Sequence, residues 1–262
     1  MQYFDSHAHY YDERFTEECN EGVESLLDSL FADSVSGIVN VGTSPETCRL
    51  AIRQARRYPN MYTAIGIHPS DGQGISDPDA ALDEIRALIL DPQSKCVALG
   101  EIGLDYHYPD TDKAAQAYLF DRQMQMAREL SLPVVIHDRD AHGDVMETIH
   151  RYPDVRGILH SYSGSAEMVR ELLDYDYMIS FSGTVTFTNA KKTVLAAAAV
   201  PMDRILIETD APYLAPHPLR GTLNHSGNLA YTNRTVAALH GITEQECARI
   251  TEENARRFFS LT

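Results

Sequence analysis

The feature that most constrains the fold is a regular alternation of short apolar runs with longer segments of helical spacing. Eight runs, rich in apolar and β-branched residues, span residues 2–9, 36–43, 61–69, 96–105, 133–140, 156–164, 177–184 and 204–213. Their nearly continuous apolar character is typical of strands that are buried on both faces of a parallel sheet. The sequence therefore predicts eight parallel strands.

The segments between these runs carry helix signals. Residues 20–33 place five apolar side chains on one helical stripe, and residues 44–59 open with Ser44 and Pro45, a typical N-cap and first-turn proline. Similar segments lie at residues 76–91, 110–130 and 165–176, before Pro201 and after Thr243. Strands and helices alternating over 262 residues predict an α/β chain, a (β/α)8 TIM-type barrel forming a single domain over residues 1–262.

A doubly wound open sheet is the alternative architecture. Eight parallel strands are rare in such a sheet without a glycine-rich turn that binds a nucleotide. No G-x-G-x-x-G follows the first run, and no G-x-x-x-x-G-K-[ST] occurs in the chain. The barrel is therefore favoured over the open sheet.

The formal net charge of −16 limits the kinds of partner. It argues against a broad basic surface that grips duplex DNA through many phosphates. It leaves open nucleic acid that is bound at one metal-lined pocket, because metal ions bring their own positive charge.

The cysteines and the termini bear on the compartment. Four cysteines lie far apart and form no C-x-x-C pair, which is typical of small core residues in a reducing environment: Cys19, Cys48, Cys96 and Cys247. The N-terminus lacks a positively charged segment followed by an apolar core, and no apolar stretch reaches the ~18 residues of a membrane span. We therefore expect a cytoplasmic protein without a membrane partner.

Two histidines, His7 and His9, end the first apolar run with one residue between them. Side chains alternate faces along a strand, so both imidazoles point the same way if residues 2–9 are extended, with Cα atoms roughly 6.5 Å apart. That span suits two ligands of one metal ion. On this motif alone, a pair of solvent-facing histidines on an edge strand is an equal alternative.

Ionisable residues collect near the carboxyl ends of six runs: His7, His9, His68, Glu101, Asp105, His137, Asp138, His160, Glu208 and Asp210. The active site of a barrel enzyme lies at this rim and is built from the ends of several strands. Imidazole suits Zn²⁺, Mn²⁺ or Fe²⁺, while carboxylates suit hard divalent ions such as Mg²⁺ and can bridge two of them. We therefore predict a site for two divalent ions, which activate water and clamp a displacement at phosphorus.

Seven stretches resemble one known family: "DSHAH", "GIHP", "GEIGLDY", "LPVVIHDRDA", "HSYSGS", "ETDAPYLAP" and "ENARRFF". The chain resembles the TatD family of metal-dependent deoxyribonucleases, within the amidohydrolase-like metal-dependent hydrolases, nearly from end to end. The H-x-H pair alone is weak evidence, but these stretches in this order are highly specific. The resemblance implies a TIM-type barrel, in agreement with the strand count.

The resemblance also implies a role for each ligand. His7, His9 and Asp210 would bind one ion, while His137 and His160 would bind the second. Glu101 would bridge both ions and act with Asp210 in catalysis. Asp210 would also orient or deprotonate the attacking water.

Two further residues are implied substrate contacts. His68, in "GIHP", would touch the substrate or support a ligand; the alternative is a histidine packed in the turn after the third strand. Arg220, in "PLRG", would hold a substrate phosphate; the alternative is a solvated loop arginine.

Two carboxylates outside the ligand set have separate expectations. If residues 204–210 alternate regularly, Glu208 faces the same side as Asp210 and braces a ligand histidine, as carboxylates behind metal ligands often do. Asp105 is expected to be structural and to hold the loop after the fourth strand.

The chain departs from the family pattern at two loops. Ser70 stands where a second histidine is frequent, and "RGTLNHSGN" stands where R-G-K-x-N-E-P is usual. Within the second loop, His225 is expected to lie at the surface. Because both loops would meet the substrate, these departures bear on substrate identity and leave the metal ligands untouched.

Three functions compete. The first is a deoxyribonuclease that removes nucleotides from the 3′ end of single-stranded DNA with a metal-activated water. The second is a di-metal hydrolase of a small amide, lactone or phosphoester, although no lysine stands at a strand end to bridge metals as a carbamate. The third is a non-catalytic barrel that binds a partner, which a complete ligand set disfavours. No obligatory protein partner is evident.

Overall fold

The structure, a computed structural model, describes residues 1–261. Its eight strands are β1 (Tyr3–Ala8), β2 (Val35–Gly42), β3 (Met61–Ile65), β4 (Cys96–Asp105), β5 (Val134–Arg139), β6 (Gly157–Leu159), β7 (Met178–Phe181) and β8 (Ile205–Ile207). In the sheet they keep the order that they have along the chain. The eight predicted strands and the (β/α)8 fold class are confirmed.

Ten α-helices lie within the described residues: α1 (Glu13–Glu18), α2 (Val23–Asp33), α3 (Pro45–Ala55), α4 (Pro78–Leu90), α5 (Lys113–Leu130), α6 (His142–Arg151), α7 (Ala166–Asp174), α8 (Lys191–Ala199), α9 (Leu229–His240) and α10 (Glu244–Phe258). The start predicted at Ser44 is confirmed, because its hydroxyl accepts a hydrogen bond from the Thr47 amide in a capping box. None of the helices within residues 1–261 combines the length and apolarity that crossing a bilayer requires.

Helix α1 has no counterpart among the predicted segments, although Asp12 caps it. Helices α6 and α9 also have none. Ala141 and Asn228 precede them, and neither side chain makes a capping hydrogen bond. These helices therefore lack the N-terminal signal on which helix prediction from sequence depends.

Tertiary contacts divide the chain into two compact units, which we describe separately. The first unit comprises residues 1–40, 160–173 and 178 onward. In it β1 pairs in parallel with β2, β8 pairs in parallel with β7, and an isolated bridge joins Ala8 to Ala211. Helix α10 packs on β1 and β8, where the rings of Phe4 and Phe259 lie 6.3 Å apart.

The second unit comprises residues 41–159 and 174–177. Here β3, β4, β5 and β6 form successive parallel ladders, and α5 packs against β4. Ile65, Ile102 and Ile136 are fully buried in its core. The prediction of one domain over residues 1–262 stays a prediction.

Several strands end earlier than the apolar runs that predicted them. β6 ends at Leu159 and β8 ends at Ile207, so the last residues of these runs lie in loops. In those loops Ser161 and Asp210 adopt the left-handed region, with φ values of 41° and 57°. Non-glycine residues rarely adopt this conformation, and it is concentrated at functional sites.

Candidate metal-binding clusters

The first unit brings three predicted ligands together. His7 and His9 present their Nε2 atoms 3.1 Å apart, and Asp210 Oδ1 lies 3.7 Å and 3.3 Å from them. His7 is fully buried and His9 nearly so. The predicted common face of the two imidazoles is confirmed. Ligands bound about 2.0–2.2 Å from one ion lie at such mutual distances, so these donors fit a divalent metal.

His160 joins this same group. Its ring stacks on that of His7, with centroids 4.0 Å apart and planes 12° apart. One nitrogen or oxygen from each of His7, His160 and Asp210 lies within 4.8 Å of the others. The family resemblance instead pairs His160 with His137 on the second ion, and that pairing stays a prediction.

Glu208 lies behind His160, as we expected. Its carboxylate is fully buried, Oε1 lies 3.2 Å from His160 Nδ1, and the same oxygen accepts a 2.7 Å hydrogen bond from the Ser161 amide. Oε2 is buried and makes no hydrogen bond within residues 1–261. The contact points His160 Nε2 away from the carboxylate, so Nε2 is the ring nitrogen that can donate its lone pair to a metal.

Asp210 is suited to be a charged ligand. Burial alone would raise the pKa of its carboxyl, but the contact with His9 and the nearby His7 and His160 hold that pKa below its ordinary value. Its backbone amide donates to the carbonyl of His7 over 2.9 Å. This bond ties the loop after β8 to β1, and with it the carboxylate to the imidazoles.

Asp5 also holds the loop after β8, and the sequence analysis did not identify it. Its Oδ1 accepts hydrogen bonds from the amides of Thr209 and His7, while Oδ2 accepts from the hydroxyls of Thr209 and Ser226, both at 2.6 Å. Burial raises the pKa of Asp5 to about 6 despite these bonds. The sequence signal that could have identified Asp5 is its charge inside an apolar run.

The second unit holds another cluster, composed of His68, Glu101 and His137. Glu101 Oε1 lies 2.8 Å from His137 Nδ1 and 3.5 Å from His68 Nε2. The two imidazole rings meet nearly edge to face, with centroids 4.4 Å apart. Glu101 is buried on β4, and the three residues together have donor spacing that fits a metal ion.

The hydrogen bonds of His68 distinguish it from a ligand. The backbone amide of Ser70 donates to His68 Nδ1 over 3.1 Å. In a neutral imidazole only one nitrogen carries the hydrogen, so Nε2 is then the donor and faces Glu101. This arrangement favours the expected substrate or supporting contact, and it shows what Ser70 does at the divergent position.

Asp105 has two contacts. Its Oδ1 accepts from the His107 amide, which holds the loop after β4 as expected. Its Oδ2 also lies 3.2 Å from His137 Nε2. Burial acts to raise the pKa of Asp105, but His137, the His107 amide and Arg139 outweigh it and hold the pKa below its ordinary value.

Arg220 and His225 lie on the divergent loop of the first unit. Arg220 is exposed, and its guanidinium carbon lies 4.2 Å from the centroid of the Phe187 ring. His225 was expected at the surface but is half-buried, and burial lowers its pKa. Its Nδ1 makes no hydrogen bond within the described part of the chain. The loop packs inward here because the adjacent Asn224 and Ser226 are buried and hydrogen-bonded.

The donor chemistry of both clusters fits divalent ions. Imidazole nitrogens stand beside carboxylate oxygens, and this combination of donors suits divalent ions such as Zn²⁺, Mn²⁺ and Mg²⁺. Buried carboxylates facing imidazoles are costly without compensation, and a cation supplies it. The residues present therefore suit the group that the sequence predicts.

Comparisons with known proteins agree with this chemistry. Residues 4–260 match the family model described as TatD related DNase. The chain is 39% identical to the uncharacterized metal-dependent hydrolase YabD of Bacillus subtilis, over 98% of this chain and 99% of that protein. It is 35% identical to the uncharacterized metal-dependent hydrolase YcfH of Escherichia coli, over 98% and 95% of the two chains.

A solved structure shares the fold. The TatD homologue YjjV of Escherichia coli is 27% identical to this chain and superposes with a TM-score of 0.89, over 99% of this chain and 98% of that one. Coverage of this extent leaves no large part of the described fold without a counterpart.

Proposed function

The chain belongs to the TatD-related DNase family and is a metal-dependent hydrolase acting on ester bonds, and on that basis we propose that it shortens single-stranded DNA from its 3′ end. Water is the nucleophile and a phosphodiester is the bond broken. The observation that carries the proposal is the meeting of His7, His9 and Asp210, with Nε2, Nε2 and Oδ1 atoms 3.1–3.7 Å apart.

We propose that the chain holds two divalent ions, zinc, manganese or magnesium, through six ligands: His7, His9, Glu101, His137, His160 and Asp210. Their support lies in the donor spacing of the two clusters and in the family resemblance. When bound, such ions activate water at neutral pH and offset the charge of a phosphodiester.

The side chains then have distinct tasks. Asp210, whose pKa lies below its ordinary value, is ionised at neutral pH and accepts the proton of the attacking water. His68 can present its Nε2 hydrogen to a phosphate oxygen, because Ser70 occupies its other nitrogen. Arg220 is exposed beside Phe187, and we propose that its guanidinium contacts a phosphate of the substrate.

Charge supports a chain end as the substrate. A protein with a net charge of −16 repels a long polyanion, whereas a terminal phosphodiester requires only a local positive site. Bound divalent ions supply that site. The proposed substrate is therefore the free end of a single strand, and the site binds one such end at a time.

The test uses 5′-labelled single-stranded DNA and metal-stripped protein that is resupplied in turn with Mg²⁺, Mn²⁺ and Zn²⁺. We expect a ladder of stepwise shortened products that requires metal, is absent with Asp210→Asn and persists with Asp203→Asn. Asp203 is a matched control because it is exposed and lies on the turn before β8. No shortening with any ion would overturn the nuclease proposal and redirect the search to small esters and amides.

A further inference from the structure

A cation and an aromatic ring lie side by side near the cluster of the second unit. Arg139 ends β5, and Tyr108 stands in the loop that follows β4. Arg139 Nη1 lies 3.9 Å from Asp105 Oδ2, and the same oxygen lies 3.2 Å from His137 Nε2. One carboxylate therefore separates the guanidinium from a proposed metal ligand.

The guanidinium of Arg139 is available to a ligand. Its side chain is 45% exposed, and within residues 1–261 it makes no hydrogen bond. The 3.9 Å approach to Asp105 is too long for a charge-assisted hydrogen bond, which spans about 2.7–2.9 Å. Arg128, by contrast, uses its donors on Asp154 and on the Arg151 carbonyl. Arg139 therefore keeps its fork of N–H donors open to an anion.

Tyr108 offers the matching aromatic surface. It is 50% exposed, and the Arg139 guanidinium carbon lies 5.7 Å from its ring centroid. The His107 ring lies nearly perpendicular to the Tyr108 ring, with centroids 5.2 Å apart, and His107 Nδ1 lies 3.2 Å from Asp140 Oδ2. The half-exposed ring leaves aromatic surface on which a planar group can stack.

We infer that Tyr108 and Arg139 form a nucleotide subsite in which an unpaired base stacks on the tyrosine ring while the guanidinium binds a phosphate. Stacking platforms beside cations are the usual means of holding single strands. The inference rests on the proposed function and deepens it, because it explains single-strand preference. In a duplex the faces of a base are covered by its neighbours, so only a frayed or unpaired nucleotide can stack on Tyr108.

The chain contains a matched control pair. Tyr118 on helix α5 is 39% exposed, and the Arg122 guanidinium carbon also lies 5.7 Å from its ring centroid. The two residues are four apart on one helix, and the Tyr118 hydroxyl donates to Asp79. The pair has the same chemistry and spacing, but its acidic partner is Asp79 on α4, whereas that of Arg139 is Asp105, which contacts His137.

The experiment measures binding to the metal-loaded full chain. The probe is a fluorescein-labelled oligothymidylate whose 3′-terminal linkages are phosphorothioates that resist cleavage, with and without an abasic 3′ nucleotide. We expect Tyr108→Ala to raise Kd by about 5- to 100-fold, and we expect loss of the terminal base to add little in that variant. Tyr118→Ala is expected to bind like the wild type.

Arg139 is tested through salt. Removing one phosphate contact to a single strand lowers the slope of log Kd against log salt by about 0.7. We expect this decrease for Arg139→Gln, a preserved slope for Arg139→Lys, and the wild-type slope for Arg122→Gln.

The outcomes separate the two proposals. If the wild type degrades DNA but Tyr108→Ala and Tyr118→Ala bind alike, the subsite is wrong and the proposed function stands. If the wild type neither binds nor degrades single-stranded DNA, the proposed function fails and the subsite falls with it. A penalty that is confined to Tyr108→Ala and depends on the terminal base supports both.

Discussion

Glu208 and His160 form a buried contact in which Glu208 Oε1 lies 3.2 Å from His160 Nδ1, with the carboxylate shielded completely from solvent. The amide of Ser161 donates to the same oxygen. A carboxylate in this position selects the ring tautomer and orientation of a histidine, and thus the direction of its Nε2 lone pair. Glu208 therefore sets the direction of His160 Nε2, the atom that we propose to bind a metal.

Glu208→Gln is expected to weaken metal binding by about 10- to 100-fold, because the amide keeps the shape of the carboxylate but loses its charge. Isothermal titration of the metal-stripped protein with Mn²⁺ or Zn²⁺ measures the change. Glu171→Gln, an exposed substitution on α7, serves as the control. Equal affinities for Glu208→Gln and the control would contradict the role.

His7→Ala and Glu101→Ala are each expected to abolish hydrolysis while the chain stays folded. Each removes one proposed metal ligand from a site that contributes little to the apolar core. Elemental analysis should find fewer bound ions per chain than the two expected in the wild type, and circular dichroism should show unchanged helix content. Full activity in either variant would refute the two-ion site.

Ser226→Ala is expected to lower the free energy of unfolding by about 1–3 kcal/mol, because it removes one of the two hydroxyl donors to the buried Asp5 Oδ2 and the hydroxyl partner of Tyr10. The Ser226 hydroxyl lies 2.6 Å from Asp5 Oδ2 and 2.7 Å from the Tyr10 hydroxyl. Urea denaturation measures the change. Ser25→Ala, exposed on α2, should stay within about 0.5 kcal/mol of the wild type, and an equally small effect at Ser226 would show that the network is dispensable.

His225 is expected to make the protein less stable in mild acid. Burial lowers its pKa in the folded state, so folding favours the neutral imidazole. Its contribution is fully present above the ordinary histidine pKa of about 6.5 and is lost as the pH falls below that value. His225→Gln should therefore lose less free energy of unfolding than the wild type between pH 7.5 and 5.5.

Urea denaturation in EDTA at both pH values tests this expectation, because chelation removes metal binding from the comparison. His217→Gln, at an exposed position on the same loop, should follow the wild type. If His225→Gln also lost as much stability as the wild type, the buried imidazole would not be responsible.

Much of the site was predictable because it depends on local periodicity. Side chains alternate along a strand, so His7 and His9 had to share a face once residues 2–9 were extended. Parallel strands carry their functional residues at their carboxyl ends, which predicted the neighbourhoods of Glu101, His137 and Asp210. The position of Glu208 behind a histidine was also expected, although β8 ends at Ile207 and residues 208–210 do not continue the regular alternation.

Other features could not be read from the chain. The Ser70 amide donates to His68 Nδ1 through a loop conformation that has no periodic signature. Asp5 joins β1 to Thr209 and Ser226, more than 200 residues away in sequence. Arg139 lies within "LPVVIHDRDA", but nothing in the sequence indicates that its guanidinium lies against the ring of Tyr108.

The sequence by itself determined the number and order of the strands and the candidate ligands near their carboxyl ends, because each depends on short-range periodicity and residue type. Only the tertiary structure decided that His160 stacks on His7, that Glu208 orients it and that Asp5 holds the loop of Asp210. Those contacts join residues that are distant in sequence, and they exist only where packing excludes water and buried polar groups must find partners.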